Sequence, residues 1–389
     1  MLVAHLKAVA VAALACVCLA ACGDSGPEVP DLPPGWSVLR PGGDTVCANG
    51  SEYAFFVSPG TVNKLLVEFE GGGACWDDLT CALPYSPTKP GGVYLDQVDV
   101  PSTLQTLNSN QGIYDRGNPD NPWRDWYHVF VSYCTGDAHY GDNAKNYEIG
   151  GRPYVIQHKG RVNAQAAMDW VFHNFGNPRE TTVTGCSAGS LGSIAWAPYV
   201  MQRYEHSFNR HFGDSFVGAL TEQLYNQAFP NWNAYGVFAP FIPGFADGQL
   251  DTYRPDFAAY IYAQTALYFP RNVFSQYNSN FDSTQTAFYS LGGGQGGARG
   301  WSLQMRALID EIHARVPNFD SYIGAGSDHC FIPYDRFYTK VTDGTDLDQW
   351  VGGIVAGDPV ETVVDCAPDC GEPAAVSDVG SIDMSRYQH

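Results

Sequence analysis

Short apolar runs closed by glycine-rich turns alternate with segments of helical periodicity along most of this chain. Lys64–Phe69 (KLLVEF), Trp126–Ser132 (WYHVFVS) and Thr181–Gly185 are apolar or β-branched and short enough for buried strands. Arg161–Phe175 places apolar side chains at Val162, Ala166, Met168, Trp170, Val171 and Phe175, which predicts a helix. Leu191–Tyr204 predicts a second helix, with a kink at Pro198. Two more helices are expected over Ser302–Arg315 and Leu347–Val355. Further strands are expected over Phe212–Leu220, Asn272–Tyr277 and Ser321–Ile323. Residues 221–270 are rich in Tyr, Phe, Asn and Pro, lack a clear period, and read as an insertion or cap. Strands alternating with helices predict a mainly parallel central sheet flanked by helices.

One turn sharpens that picture. Val183-Thr184-Gly185-Cys186-Ser187-Ala188-Gly189 runs from a strand through Gly-x-Ser-x-Gly into a helix, which is the setting of a nucleophile elbow. Gly185 and Gly189 lack the Cβ atoms that would crowd so sharp a turn. The predicted architecture is therefore an α/β-hydrolase fold with cap-like insertions, and Ser187 is its candidate nucleophile. The competing reading is a tight structural turn with a buried serine.

A serine nucleophile needs a base, and the base needs an orienting acid; in this fold the chain order is serine, acid, histidine. His329 stands in a glycine-rich loop just after a predicted strand, where the fold places its base. His206 and His211 follow the elbow helix closely, and His313 lies mid-helix. For the acid, Asp282 follows the Asn272–Tyr277 strand, while Asp214, Asp247, Asp251, Asp256, Asp310 and Asp320 compete on position. Asp282 also suits a helix cap. The oxyanion needs preorganised backbone donors. Ala188, the residue after the nucleophile, supplies one; Gly72 and Gly73, directly after the Lys64–Phe69 strand, are the candidates for the others. The same glycines lack the Lys-Ser/Thr that a phosphate-binding loop requires.

Length and leader set the frame. The 389 residues accommodate one large α/β domain, placed here at residues 36–370, with a tail over 371–389. Residues 1–22 read as an export signal: Lys7, an apolar stretch Ala8–Leu19, and a lipobox Leu19-Ala20-Ala21-Cys22 with Cys22 as the lipidated residue. The apolar stretch is short for a membrane span. Residues 23–35 read as a tether. The body is then expected at a bacterial cell envelope or outside the cell, touching membrane only through the lipid anchor, and acting as a monomer. Eight cysteines follow the leader, and an oxidising compartment makes disulfides the expectation. Local spacing pairs Cys75 with Cys81 and Cys366 with Cys370. Neither paired CxxC motifs nor an HExxH helix is present to argue for a metal site. A formal charge of −20 without a basic patch argues against a nucleic-acid partner.

Three motifs in order resemble the pectin acetylesterase family of Notum-like serine esterases: Glu70-Gly71-Gly72-Gly73-Ala74-Cys75-Trp76, Tyr133-Cys134-Thr135-Gly136-Asp137 with Gly141-Asp142, and Gly185-Cys186-Ser187-Ala188-Gly189. Asp282-Ser283-Thr284-Gln285 is similar to the family's acid motif, and in the histidine loop only the pair His329-Cys330 is similar, to the family's His-Cys pair. The likeness spans roughly residues 36–370. It implies an α/β-hydrolase fold and ester hydrolysis without metal or organic cofactor. It implies Ser187 as nucleophile, Asp282 as acid and His329 as base, with Gly72, Gly73 and Ala188 as the oxyanion hole. The implied substrate is an acetylated polysaccharide or a small ester. Two departures, at Ala74 and at Thr135, are expected to lie beside the active site. An inactive glycan-binding lipoprotein and a cysteine hydrolase at Cys186 are the rival readings.

Overall fold

The computed structural model describes residues 29–85, 92–149, 151–216, 218–246 and 248–364. The export signal, the lipobox Cys22, the pair Cys366 and Cys370, and the tail lie outside the described residues.

Side chains of alternating direction carry the sheet into two cores. In the strand Lys64–Phe69 (β3), Leu65, Val67 and Phe69 enter the larger core, while Leu66 enters a second core behind the sheet. Tyr127–Val131 (β4) divides the same way, with Val129 and Val131 on one side and Phe130 on the other. The remaining strands are Ser37–Leu39 (β1), Phe55–Ser58 (β2), Glu180–Cys186 (β5), Phe208–Asp214 (β6), Val273–Ser279 (β7), Phe319–Gly324 (β8) and Val363–Val364 (β9). They form one nine-stranded sheet in the order β1-β2-β4-β3-β5-β6-β7-β8-β9. Only the β1–β2 and β2–β4 pairings are antiparallel. A separate hairpin pairs Asn143–Ile149 with Arg152–His158.

Helices cover both faces. Gly160–Asn174 (α2), Ala188–Arg203 (α3), Phe257–Tyr268 (α5) and Gly297–Arg315 (α7) bury their apolar sides in the larger core. Val100–Leu107 (α1) and Leu347–Ala356 (α8) close the second. Glu222–Trp232 (α4) and Ser283–Leu291 (α6) lie over the ends of the strands that carry the site. This is the α/β-hydrolase-like arrangement of a mostly parallel sheet between helices.

Several expectations shift in detail. The strand expected over Phe212–Leu220 starts earlier and stops at Asp214, because Ser215 (φ 58°) and Gly218 (φ 70°) turn the chain into a loop. The elbow helix runs continuously from Ala188 to Arg203 through Pro198. The irregular cap over 221–270 contains two helices, α4 and α5. α5 was hard to read because it is apolar on every side, as befits a helix buried in a core. The hairpin and β1–β2 carry no strong pattern of their own.

Backbone crowding at the elbow explains its two glycines. A Cβ on Gly189 would stand 2.0 Å from the Phe69 carbonyl oxygen, and one on Gly185 would stand 2.4 Å from the Gly189 oxygen and 2.6 Å from the Phe69 oxygen. Gly189→Ala is accordingly expected to cost about 3 kcal/mol of unfolding free energy, the upper range for overpacking a core. Urea unfolding measures it, and a loss below about 0.5 kcal/mol, the scale of an ordinary surface change, would show that the contact yields freely.

Candidate active site

Ser187 sits where β5 ends and α3 begins, with φ 59° and ψ −125°. A left-handed φ at a serine is strained, and such strain persists only where surroundings hold it. Its N–H donates to the Asp214 carbonyl at 3.0 Å. Ala188 is the first residue of the helix, so its N–H has no intrahelical acceptor and points out of the helix N-terminus.

The histidine and the acid are brought together from separate strand ends. His329 Nδ1 donates to Asp282 Oδ2 at 2.6 Å, with both side chains buried. The other oxygen of Asp282, Oδ1, caps α6 by accepting the Gln285 N–H at 2.9 Å. The capping role and the orienting role thus use different oxygens of one carboxylate. Gln285 Nε2 adds a bond to Asp282 Oδ2 at 3.1 Å and one to Asn278 Oδ1 at 3.0 Å. The acid is therefore fixed from both sides.

Asp214, a competitor for the acid on sequence position, holds the histidine loop instead. Its Oδ2 accepts the N–H groups of Phe331 at 2.6 Å and Ile332 at 2.9 Å, and its Oδ1 accepts the Ser215 hydroxyl. Ser215 Oγ in turn accepts the Cys330 N–H at 2.9 Å. Arg336 donates to the carbonyls of His329 and Cys330 at 2.7 and 2.8 Å. A disulfide joins Cys186, the residue before Ser187, to Cys330, the residue after His329. Cys47–Cys134 and the expected Cys75–Cys81 bond are the other disulfides among the described residues. The Cys186 thiol is consumed in this bond, so it is no nucleophile. The two clusters whose donor spacing would suit a metal, Cys75-Cys81-His158 and Cys186-His329-Cys330, each spend both thiols in a disulfide.

The glycine loop after β3 is held by its carbonyls. His139 Nε2 donates to the Glu70 oxygen at 2.9 Å, the Leu95 N–H to the Gly72 oxygen at 2.9 Å, and the Tyr133 hydroxyl to the Gly73 oxygen at 2.9 Å. Gly72 (φ 154°) and Gly73 (φ 74°) adopt backbone angles that disfavour a side chain, and a Cβ on Gly73 would stand 1.9 Å from the Val93 oxygen. Tyr133 and His139 were missed as functional candidates by sequence reading. Tyr133 begins the motif that ends at Asp137, and this position in the motif was the only signal for it.

Ser187, Ala188, Gly73 and His329 line one cavity of about 60 Å³. Apart from Thr284 and Gln285 its other walls are mainly apolar, among them Trp76, Leu224, Phe229, Trp232, Phe288 and Trp301. Ala74 lines it as expected, whereas Thr135 does not: its hydroxyl is buried against Asp137 Oδ1 at 2.7 Å. Gly72 lines a second cavity of about 130 Å³ behind the loop, with Glu68, Glu70, Cys186 and Cys330.

Burial sets the charge states around the loop. It pushes the Glu70 carboxyl up to about 8, with the Tyr133 N–H bond opposing and Glu68 adding to the rise. It pulls His139 down to about 4, so the imidazole is neutral near pH 7 and Nε2 carries the hydrogen that meets the Glu70 carbonyl. It raises Asp137 to about 6.

The pectinacetylesterase family model matches residues 40–212. Two Arabidopsis thaliana proteins align over 153 residues: pectin acetylesterase 11 at 29% identity and pectin acetylesterase 7 at 28%. Each alignment covers 38% of this chain and 36% of the relative, so about a third of those relatives' length is matched. Ser187, Ala188 and the glycine loop fall inside the family match; Asp282 and His329 fall beyond it.

Two outcomes test this anatomy. A carboxyl whose folded pKa lies above its unfolded value stabilises the fold fully below its unfolded pKa and loses that contribution as pH rises through the folded pKa. Glu70 should therefore weaken the fold between about pH 4.5 and about 8, and Glu70→Gln should flatten the fall in urea midpoint over that window; an unchanged slope would contradict the assignment. Tyr133→Phe removes the donor to the Gly73 carbonyl, and kcat is expected to fall roughly tenfold to a hundredfold, below the cost of losing an oxyanion donor outright, with KM little changed. A loss confined to melting temperature would mean that Tyr133 serves the fold alone.

Proposed function

We propose that this chain is a serine ester hydrolase that removes acetyl groups from a polysaccharide, a reading supported by the match of residues 40–212 to the pectinacetylesterase family model. The observation that carries the reading is the strained Ser187 opening into the same cavity as His329, whose other ring nitrogen meets Asp282 at 2.6 Å. His329 Nε2 takes the Ser187 proton as Oγ attacks the ester carbonyl. The oxyanion that forms is met by the N–H groups of Ala188 and Gly73, with Gly72 beside them. Protonated His329 returns the proton to the departing alcohol oxygen. Water then attacks the acyl-enzyme by the same route, releasing the carboxylic acid and the serine. Asp282 keeps the imidazole in the required tautomer throughout.

Disulfides such as Cys47–Cys134 belong to an oxidising compartment, which supports export, with Cys22 as the site of a lipid tether. A second reading, a general short-chain carboxylesterase, draws on the apolar walls of the serine's cavity, which favour the acyl group over a sugar as the buried part of the substrate.

Acetate release from acetylated pectin and acetylated xylan, beside hydrolysis of p-nitrophenyl acetate, is the test, with Ser187→Ala as control. Loss of roughly four to six orders of magnitude in the variant is expected, as for other serine hydrolases stripped of their nucleophile, with an unchanged melting temperature. A variant turning over like the wild type would overturn the reading. Activity on the small ester alone would select the second.

A further inference from the structure

The cavity at Ser187 does not end at a close-packed wall. A smaller cavity of about 10 Å³ lies beyond it, and both are lined by Leu191 and Phe216. The far chamber is otherwise lined by apolar or aromatic groups: Ile194 of α3 and Phe257, Ala258, Ile261 and Tyr262 of α5. We propose that Phe216 and Leu191 are the specificity-determining residues for acyl length, forming the partition between an acyl chamber at the nucleophile and a blind extension of it. The inference rests on the serine-hydrolase reading of the site.

Three observations carry it. First, a water needs roughly 10–15 Å³ of such space, so the chamber of about 60 Å³ exceeds what an acetyl methyl fills. Space remains for a chain of several carbons, and away from Ser187, His329, Thr284 and Gln285 its walls offer that chain mainly apolar contact. Second, the two partition residues differ in freedom. Leu191 is buried one turn into α3, a helix anchored by the elbow itself. Phe216 is half-buried on the loop between Ser215 (φ 58°) and Gly218 (φ 70°). Third, that loop is seated on α5 by a glycine: a Cβ on Gly218 would stand 2.8 Å from the Ala258 Cβ and 3.4 Å from the Phe216 ring. The Phe216 ring is therefore held against the extension by the loop, and the far chamber is separated from the substrate by this ring and Leu191.

The expected signature is a break in a chain-length series. Each methylene that enters the chamber adds roughly fourfold to kcat/KM, the equivalent of the free energy of burying one CH₂ group, until the chain reaches the partition. With p-nitrophenyl esters from acetate to dodecanoate, kcat/KM should rise and then break at a definite length. Phe216→Ala should move the break at least two carbons longer and raise the octanoate-to-butyrate ratio about tenfold. Phe216→Trp should move the break shorter, and it serves if the alanine variant does not fold. A break at the same length in folded variants, or an equal loss on every ester, overturns the partition. Fluorophosphonate labelling of Ser187, located by mass spectrometry, keeps the two failures apart. An unlabelled serine with no ester turned over sinks the hydrolase reading itself, whereas an unmoved break in a labelled, active enzyme sinks only the partition.

Discussion

The site depends on how closely β5 and α3 approach the end of β3. Gly185 and Gly189 leave no room for even one more carbon between the elbow and the Phe69 carbonyl. Gly71 continues the contact, because a Cβ there would stand 2.5 Å from the Cys186 oxygen and 3.2 Å from the Ser187 Cβ. This three-way backbone contact does two things at once. It forces the tight turn that puts Ser187 at φ 59°, and it lays the glycine loop beside the helix N-terminus. Two neighbouring strand ends therefore bring backbone N–H groups together beside Ser187, and the proposed oxyanion site needs no ordered side chain to supply its donors.

Loops that meet at such a point have to be fixed, and here their own peptide groups are the handles. Asp214 and Ser215 grip three successive N–H groups of the histidine loop, and Arg336 grips two of its carbonyls. Tyr133 and His139 grip the carbonyls of the glycine loop. A buried peptide group left without a partner costs about 1–3 kcal/mol, more than an ordinary bond gains, so each handle is enforced chiefly by the penalty of losing it. The cost appears in the pKa values: a neutral His139 and an elevated Glu70 are the result of putting ionisable groups where charge is poorly solvated. The Cys186–Cys330 bond adds a covalent bracket, joining the neighbours of the nucleophile and the histidine across 144 residues of chain.

What the sequence disclosed follows from the range of the interactions involved. The elbow was legible because its constraint is local: two glycines four residues apart, a β-branched strand before and a helix after. Asp282 was legible for the same reason, being both a strand end and a helix cap. The distinction between Asp282 and Asp214 was not legible from spacing, since both follow strands and only the tertiary contacts decide which one meets the His329 ring and which one meets its loop. The Cys186–Cys330 pairing was hidden likewise, whereas Cys75–Cys81 closes a short local turn. Helix α5 escaped a reading based on amphipathic period because apolar residues on every side, the exposed Leu267 included, erase the stripe that such a reading needs. The hairpin over Asn143–His158 stands outside the large sheet, and neither of its strands presents the apolar run that marks a central strand.

The division of labour along the chain bears on how far a family likeness reaches. The matched segment, residues 40–212, holds Ser187, the helix N-terminus and the glycine loop, to which the proposed mechanism assigns the attack and the oxyanion. The acid and base come later, and so do most of the walls of the cavity: Phe216, Leu224, Phe229, Trp232, Phe288 and Trp301. Under the proposed function, reaction type and acyl choice would be carried by different parts of one fold, and hydrogen bonds tie those parts together. One tie is Trp232 Nε1 donating to the Cys75 carbonyl at 2.7 Å, with Asn231 Nδ2 bonding the Trp76 carbonyl at 2.8 Å beside it. Through these bonds α4 is seated on the residues that follow the glycine loop, so the wall it contributes to the cavity keeps its register to that loop. On the proposed reading, a change of side chain on the wall would alter which acyl group fits without moving the amides of the glycine loop and helix N-terminus, and for that reason likeness in the first segment speaks more firmly about the reaction than about its substrate.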